Sequence, residues 1–383
     1  MKTEDPGKTK LAIVIRNFTS SGGGAEKYCF KTVEKLKEKY DIYVITQNIH
    51  SVINGVTFFQ IHQKIKKPRF INQLIFSREV YRILKKNNFD LVHSHDIVNH
   101  ANIYTVHVPC FKSFISNSCG IDKILKILGV LISPRKLAYL WLESKVFKTK
   151  SLKKLIMPVS YQLLRNISEN YRINENYRIA YPGIDKVSSK KRKSIRQEYG
   201  LKQSDFVILF VGNGFRRKGL HKIIEAMEVI DNEKISCIVI GNGKKSEVSF
   251  VKDSVKNKVF FLGEVKKMSE FYQSANVLIH PTSGDTFGMV VLEAMSNKIP
   301  VIVSNKNYCG ICETLSDKEV IFLENQNDVD GIIGGIKKIM TQADFVKKMV
   351  EKAKIKSDEL NWNSTINEIE KAYEQILRTN YEK

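Results

Sequence analysis

Short, unbroken apolar runs recur along the first half of the chain, and stretches with helical spacing separate them. Leu11–Ile15, Tyr43–Thr46, Thr57–Ile61, Leu91–Asp96, Ile103–Val108 and Leu155–Ser160 read as strands. Helices are predicted up to about Tyr40 and over about Asn72–Lys86. The second half starts afresh with Phe206–Val211. It continues through Cys237–Ile240, Val259–Leu262, Ala275–His280 and Pro300–Val303. Such runs are apolar nearly throughout, as in parallel strands covered by helices on both faces. Alternation of strand and helix in both halves predicts an α/β chain with two doubly wound domains. Beyond Asp328 the pattern is helical, and Trp362 is expected to precede a last amphipathic helix, Ile366–Leu377. The polar, basic run Lys186–Lys193 reads as a linker. The expected organisation is therefore a first domain over 1–185, a second over 194–362, and a C-terminal helix within 363–383.

Chemistry concentrates where apolar runs stop. His280–Met295 breaks at Pro281 and Gly284 and enters an apolar helix at about Gly288. A helix N-terminus has unpaired N–H groups and a partial positive charge, so the turn Phe287–Gly288–Met289 can hold an anion such as phosphate. Gly288 lets that anion come close to the backbone. Glu293, on the face of Met289, and Asp285, in the loop, can accept hydrogen bonds from the hydroxyls of an attached sugar. The alternative is a capped helix whose nearby acids only stabilise its dipole.

Two glycine loops follow strands in the same way. Arg16–Glu26 holds Gly22, Gly23 and Gly24 between a strand and a helix, the arrangement of a phosphate cradle. It lacks the G-x-G-x-x-G spacing and any G-K-[ST], which disfavours a dinucleotide fold or a P-loop; a tight turn is the alternative. In Gly212–Leu220 the glycines are followed by paired cations. Arg217 and Lys218 are placed to bind a diphosphate, the first as a fork and the second as a point charge.

The length of 383 residues fits two domains, and the net charge of +22 calls for an anionic partner. Nucleic acid, an anionic membrane and phosphorylated substrates all qualify. Six scattered cysteines and no recognisable secretory leader point to a reducing cytoplasm. The apolar run Ile124–Ile132 is too short to span a bilayer and carries Lys126. It belongs to an insert at about 111–150 in which Phe114, Ile121, Ile124, Leu125, Leu128, Leu131 and Trp141 alternate with Lys123, Lys126, Arg135, Lys136 and Lys150. Only Asp122 and Glu143 oppose those cations. The pattern suits a segment lying on anionic lipid, with Lys123, Lys126, Arg135, Lys136 and Trp141 as the contacts. Helices packed on the sheet with a basic rim are the alternative.

Three other groupings carry less. His93, His95 and His107 suggest a metal, but a third ligand does not converge with the His93-x-His95 pair. Cys309-Gly-Ile-Cys312 has redox spacing without a thioredoxin-like context. Asp328-Val-Asp330 stands at a predicted helix start, where capping explains it. No metal and no cofactor are expected.

Read in order, the residues resemble the retaining, nucleotide-sugar-dependent glycosyltransferases of family 4, which have the GT-B fold. The resemblance rests on Gly23-Gly-Ala-Glu26, Tyr104-Thr-Val-His107, Tyr181-Pro-Gly-Ile-Asp185, Val211–Gly219 and Asp285–Glu293, followed by Pro300-Val-Ile-Val and Gly310-Ile-Cys-Glu313. The Arg-Arg-Lys-Gly form and the amphipathic insert are most similar to the lipopolysaccharide core glucosyltransferases. The resemblance implies two facing Rossmann-like domains with the active-site cleft between them, and a last helix crossing back onto the first. It gives Arg217 and Lys218 the diphosphate, aided by Gly212 and the N–H groups of Phe287, Gly288 and Met289. It gives Glu293 the ribose, Asp285 the transferred sugar, and Gly263–Glu264–Val265 the base. His107, Gly23 and Gly24 would face the sugar and acceptor. The family's commoner first acid is Glu; Asp285 keeps the carboxylate one methylene shorter. Gly310-Ile-Cys-Glu313 lacks the usual second glycine.

The implied activity is transfer of a hexose, UDP being the expected carrier, to a cell-surface glycan or glycolipid at the inner face of the cytoplasmic membrane. His107, Arg217, Lys218 and Asp285 would carry it. A basic nucleic-acid-binding protein explains the charge and nothing else. A silent, transferase-like binding protein is opposed by the retained Arg217, Lys218, Asp285 and Glu293.

Overall fold

Leu11 to Val14 are wholly buried, as are Ile208 to Phe210 and Val301 to Val303. Strands without an exposed face need helices on both sides, and the chain builds that arrangement twice. A computed structural model describes residues 8–116, 118–148, 154–171, 173, 176–185, 195–250 and 252–381. The basic linker Lys186–Lys193, Lys150 and most of the polar start lie outside the described residues. The chain divides into two units, Met1–Tyr181 with Trp362–Lys383, and Pro182–Asn361.

The first unit contains β1 (Lys10–Val14), β2 (Asn17–Phe18), β3 (Asp41–Thr46), β4 (Asn48–Ile49), β5 (Thr57–Gln60), β6 (Leu91–Ser94), β7 (Ile103–Val106) and β8 (Leu155–Pro158). Six of them form a parallel sheet in the order β5-β3-β1-β6-β7-β8; β2 and β4 pair separately. The second unit holds β9 (Phe206–Val211), β10 (Ile235–Ile240), β11 (Val259–Gly263), β12 (Val277–His280), β13 (Val301–Ser304) and β14 (Ile321–Leu323). Its order is β11-β10-β9-β12-β13-β14, also parallel. In each sheet the order reverses once, between β1 and β6 and between β9 and β12. Such switch points leave a crevice at the carboxyl ends of the two strands, where open α/β sheets bind ligands. Two such parallel six-stranded sheets are the GT-B arrangement that the sequence resemblance implies.

Several local expectations are corrected. The first helix ends at Leu36, not near Tyr40, because Lys37 begins its C-terminal cap. Trp362 does not precede the last helix but starts it, and the helix runs Trp362–Tyr381. Trp362 is buried with its ring 5.6 Å from that of Tyr28. The same helix buries Ile369, Ala372, Tyr373 and Ile376 within the first unit, and Lys39 pairs with Glu370 at 2.7 Å. Asp328 caps its helix as expected, accepting the Gly331 N–H at 2.8 Å.

The insert forms two helices, Gly120–Leu131 and Pro134–Phe147. In the first, only Val130 is buried. Ile121, Ile124, Leu125, Leu128, Leu131 and Ile132 all face solvent, and their spacing puts them on one side of the helix. This apolar stripe points away from the protein core. No helix among the described residues is long and apolar enough to cross a membrane.

Candidate active site

The switch point of the second sheet brings two distant loops together. After β9 the chain turns through Gly212–Gly219. After β12 it turns through Pro281–Gly288 into the helix Met289–Ser296. Gly219 (φ +80°) makes the contact possible: a Cβ there would stand 2.1 Å from the Pro281 carbonyl oxygen. Lys218, just before it, is buried and forms an ion pair with Asp285. His280, the last residue of β12, is fully buried with Nε2 3.1 Å from the same Asp285 oxygen.

This three-residue cluster has a defined protonation. Burial alone would raise the Asp285 carboxyl, but the bond from His280 and the charge of Lys218 outweigh it and hold the group well below the usual carboxylate range. An ionised carboxylate only accepts, so His280 Nε2 carries the proton and donates. Burial also keeps His280 below its ordinary pKa, helped by Lys218 and partly offset by Asp285. At neutral pH Asp285 is therefore ionised and His280 neutral.

Gly288 (φ +96°) caps the next helix without a side-chain hydrogen bond to the helix end. A Cβ there would meet Cys309 Sγ at 2.5 Å. Cys309 and Cys312 are buried packing groups behind this loop: Cys309 Sγ lies 3.5 Å from the Phe287 carbonyl, and Cys312 Sγ 3.3 Å from that of Ser304. The hydrogen bond with Cys312, then burial, push the Cys309 thiol well above its ordinary pKa. Gly288 and Met289 thus form a helix start beside Lys218 and Asp285, while the Phe287 N–H just before it donates to Asp285 Oδ1 at 3.4 Å. Further along the helix, Glu293 accepts the buried Tyr272 phenol at 2.7 Å, which fixes its carboxylate.

The neighbouring turns come from β10 and β11. Gly212 N–H bonds Ile240 O at 2.9 Å, and Gly241 N–H bonds Gly263 O at 2.8 Å. Glu264 is exposed and accepts from the Asn242 side chain at 2.7 Å; Val265 follows it. Arg217 is separated from Lys218 by its environment. It is exposed, donates to Gly284 O at 2.6 Å, and lines an open pocket of about 630 Å³ with Arg216, His221 and Glu247. Lys218 is therefore the cation held in the cluster, and Arg217 the one that fastens the Ser283–Gly284 turn from outside.

In the first unit, Gly23 and Gly24 start the helix Gly24–Leu36. His107 stands just past β7, with its ring 5.1 Å from that of Tyr28. Its Nε2 lies 3.2 Å from His95 Nδ1. His93 is bonded on both sides, to Tyr373 OH at 2.8 Å and Thr105 Oγ1 at 2.7 Å. His95 and His107 line a cavity of about 180 Å³ with Arg16, Glu26 and Asp96. Sequence reasoning missed the Arg16–Asp96 ion pair (2.9 Å), His280 and Tyr272. The strand-end rule was the available signal for the first two: Arg16 and Asp96 follow β1 and β6, neighbours at a switch point.

Burial pulls His93 and His107 down to about 3, and His95 well below its ordinary value. Unfolding lets these rings take up protons below pH 6.5, so the unfolded state binds more protons and stability falls as pH falls. His93 alone is expected to remove about 2 kcal/mol between pH 7 and pH 5. Urea midpoints at the two pH values check this, and His93→Gln should flatten the difference.

Comparison with known proteins decides the family. Residues 22–187 match glycosyltransferase family 4, and residues 191–356 match glycosyl transferases group 1. The chain belongs to glycosyltransferase family 4. The lipopolysaccharide glucosyltransferase WaaG of Escherichia coli is 28% identical over 218 residues, 53% of this chain and 58% of that protein. The crystal structure of WaaG matches with a TM-score of 0.78 at 21% identity, covering 96% of this chain and 99% of that one. The N-acetyl-α-D-glucosaminyl L-malate synthase of Bacillus anthracis is 20% identical over 96% of this chain and 98% of its own length. The structure of Anabaena HepE in complex with UDP-glucose matches with a TM-score of 0.68 at 15% identity, covering 98% and 100%. This family 4 chain is accordingly a nucleotide-sugar-dependent glycosyltransferase of a retaining family.

Proposed function

We propose that the enzyme transfers a hexose from a UDP-linked donor to a hydroxyl of a membrane-borne glycan or glycolipid, with retention at the anomeric carbon. The observation that carries this reading is the convergence of Lys218, the helix start at Gly288–Met289 and the fixed Glu293 carboxylate on one switch point. Lys218 and the helix N–H groups would take the diphosphate, with Arg217 and Gly212 at the same turn. Glu293 would hold the ribose, Gly263–Glu264–Val265 the base, and Asp285 a sugar hydroxyl through its remaining acceptor capacity. HepE binds UDP-glucose and WaaG transfers glucose, which supports a UDP-hexose as the donor.

In the reaction the bond from the anomeric carbon to the β-phosphate oxygen breaks, and a bond from the acceptor oxygen to that carbon forms. The acceptor's proton passes to a phosphate oxygen of the departing UDP. Negative charge builds on the diphosphate, where Lys218 and the helix start are already in place to offset it, so no metal is needed. His107, neutral at pH 7, would orient a hydroxyl rather than supply charge. The exposed apolar stripe of Gly120–Leu131, with Lys123, Lys126, Arg135, Lys136 and Trp141, would rest on the anionic inner face of the cytoplasmic membrane.

Slow donor hydrolysis tests the chemistry without the acceptor. Proton NMR of the protein with a panel of UDP-α-hexoses should show the α-hexose appearing first from one of them. First appearance of the β-anomer, or release from none, would overturn the reading.

A further inference from the structure

We propose that the hollow on the outer side of the donor loops is an effector site for a phosphorylated sugar. The effector role rests on the donor reading above; the binding site itself does not. The hollow is the pocket of about 630 Å³ that Arg216 and Arg217 share with His221, Glu247, Ser283 and Asn327. It lies on the opposite face of the second sheet from the helix Met289–Ser296. Right-handed crossovers that leave a switch point in opposite directions put the helices after β9 and β12 on opposite faces. Leu220–Ile230, after β9, packs with Val329–Thr341, whereas Met289–Ser296 packs with Ala343–Glu359. His221 stands in the first turn of Leu220–Ile230 and Asn327 just before Val329–Thr341, so the hollow belongs to their side.

Polar groups with unspent hydrogen bonds line it. Arg216 is exposed and uses only its backbone N–H, which donates to the Glu247 carboxylate at 2.9 Å. Among the described residues its guanidinium has neither an acidic nor a hydrogen-bonding partner. The Arg217 guanidinium donates to Gly284 O and has no acidic partner among the same residues. His221 Nδ1 is buried without a partner. A proton there would be a buried, unsatisfied donor, so the proton sits on Nε2, which can donate into the hollow. Gln326 and Asn327 complete the wall. Two guanidinium forks and an imidazole N–H suit a phosphate. Glu247 would repel a bare phosphate, but a carboxylate beside two amides matches hydroxyls, which both donate and accept. The set therefore fits a sugar phosphate better than inorganic phosphate.

The same loops carry the effect to the catalytic pair. Ser283 donates its N–H and its Oγ to Arg217 O at 2.9 and 3.0 Å, and Arg217 donates to Gly284 O at 2.6 Å. The next residue on each loop, Lys218 on one and Asp285 on the other, forms the buried ion pair. A phosphate on Arg216 and Arg217 offsets two adjacent like charges, and hydroxyls on Glu247 and Asn327 brace the turn that presents Lys218. A ligand that favours the braced loops strengthens donor binding, and the donor strengthens the ligand's binding by the same factor.

The test is titration calorimetry of the whole protein at fixed salt. The probes are glucose 6-phosphate, mannose 6-phosphate and fructose 6-phosphate, with glucose and inorganic phosphate for comparison. At least one of the three is expected to bind about tenfold more tightly than inorganic phosphate. R216Q/H221Q should weaken it roughly 10–100-fold. N327D, which puts a negative charge at an exposed position before a helix start and so spares the fold, should weaken it as well. Saturating UDP should leave the sugar phosphate bound and tighten it about fivefold. The same gain should appear in UDP affinity when the sugar phosphate is saturating, and vanish in R216Q/H221Q, whose UDP affinity without the sugar phosphate should equal that of wild type. No binding by any of the three, or unchanged binding in R216Q/H221Q and N327D, would overturn the site. Equally tight inorganic phosphate would make it a simple anion site and overturn the sugar. Displacement by UDP would put the sugar phosphate in the donor site and overturn the hollow. Binding without any change in UDP affinity would overturn the effector role. UDP failing to bind at all would overturn the donor reading and the effector role with it, while loss of sugar phosphate binding in R216Q/H221Q would still uphold the site.

Discussion

Lys218→Met is expected to lower turnover about 10²–10³-fold with the fold retained. The lysine does two things that a second substitution separates. It offsets charge on the leaving diphosphate, and it neutralises Asp285 in a buried cluster. Removing it leaves the Asp285 carboxylate supported only by the neutral donors His280 and the Phe287 N–H, which should cost about 3 kcal/mol of stability. Lys218→Met with Asp285→Asn removes the uncompensated charge as well. The double variant should recover most of the urea midpoint and none of the turnover. Recovery of both, or near-normal turnover in Lys218→Met, would mean the lysine is structural only. Arg217→Ala should reduce turnover less, because its guanidinium is exposed and fastened to Gly284 O on the outer side of the loop.

Gly219→Ala is expected to destabilise the protein by about 3 kcal/mol or more and to abolish nucleotide binding. The residue stands at φ +80°, where a side chain is strained, and its Cβ would fall 2.1 Å from Pro281 O and 2.7 Å from Pro281 Cγ. Backbone cannot give way there without moving Lys218 from Asp285. Gly334→Ala is the matched comparison. It lies inside the helix Val329–Thr341 with nothing within 4 Å of an added Cβ. The same methyl should stabilise there, by about 0.5–1 kcal/mol. Urea unfolding of both variants, with nucleotide titration of each, checks the contrast.

Most strands were legible because burial on both faces leaves a continuous apolar run; Phe206–Val211 is β9 residue for residue. The edge strand β14 went unnoticed, since three residues, Ile321–Leu323, give no pattern. The insert was legible as basic and apolar, but an amphipathic helix reads the same whether its stripe faces the core or water. Only the structure shows Ile121, Ile124, Leu125, Leu128, Leu131 and Ile132 outside. The loops after β9 and β12 announced themselves by glycines and charge. Their meeting did not, because Lys218 and Asp285 lie 67 residues apart in sequence and come together only through the strand order. The partners that fix the site's acids, His280 for Asp285 and Tyr272 for Glu293, are invisible for the same reason. Asp285, read from the resemblance as a sugar contact, spends one oxygen on Lys218 and His280, a use that residue type and spacing could not reveal.

The central claim is a nucleotide-sugar site built on Lys218 and the helix start at Gly288. Thermal unfolding of the purified protein with a panel of nucleotides and nucleotide sugars, at fixed salt and without added metal, tests it most directly, because a ligand stabilises only the state it binds. The account predicts a selective rise with one nucleoside diphosphate and its sugar conjugate, absent in Lys218→Met. No rise with any of them, or an equal rise in the variant, would contradict it.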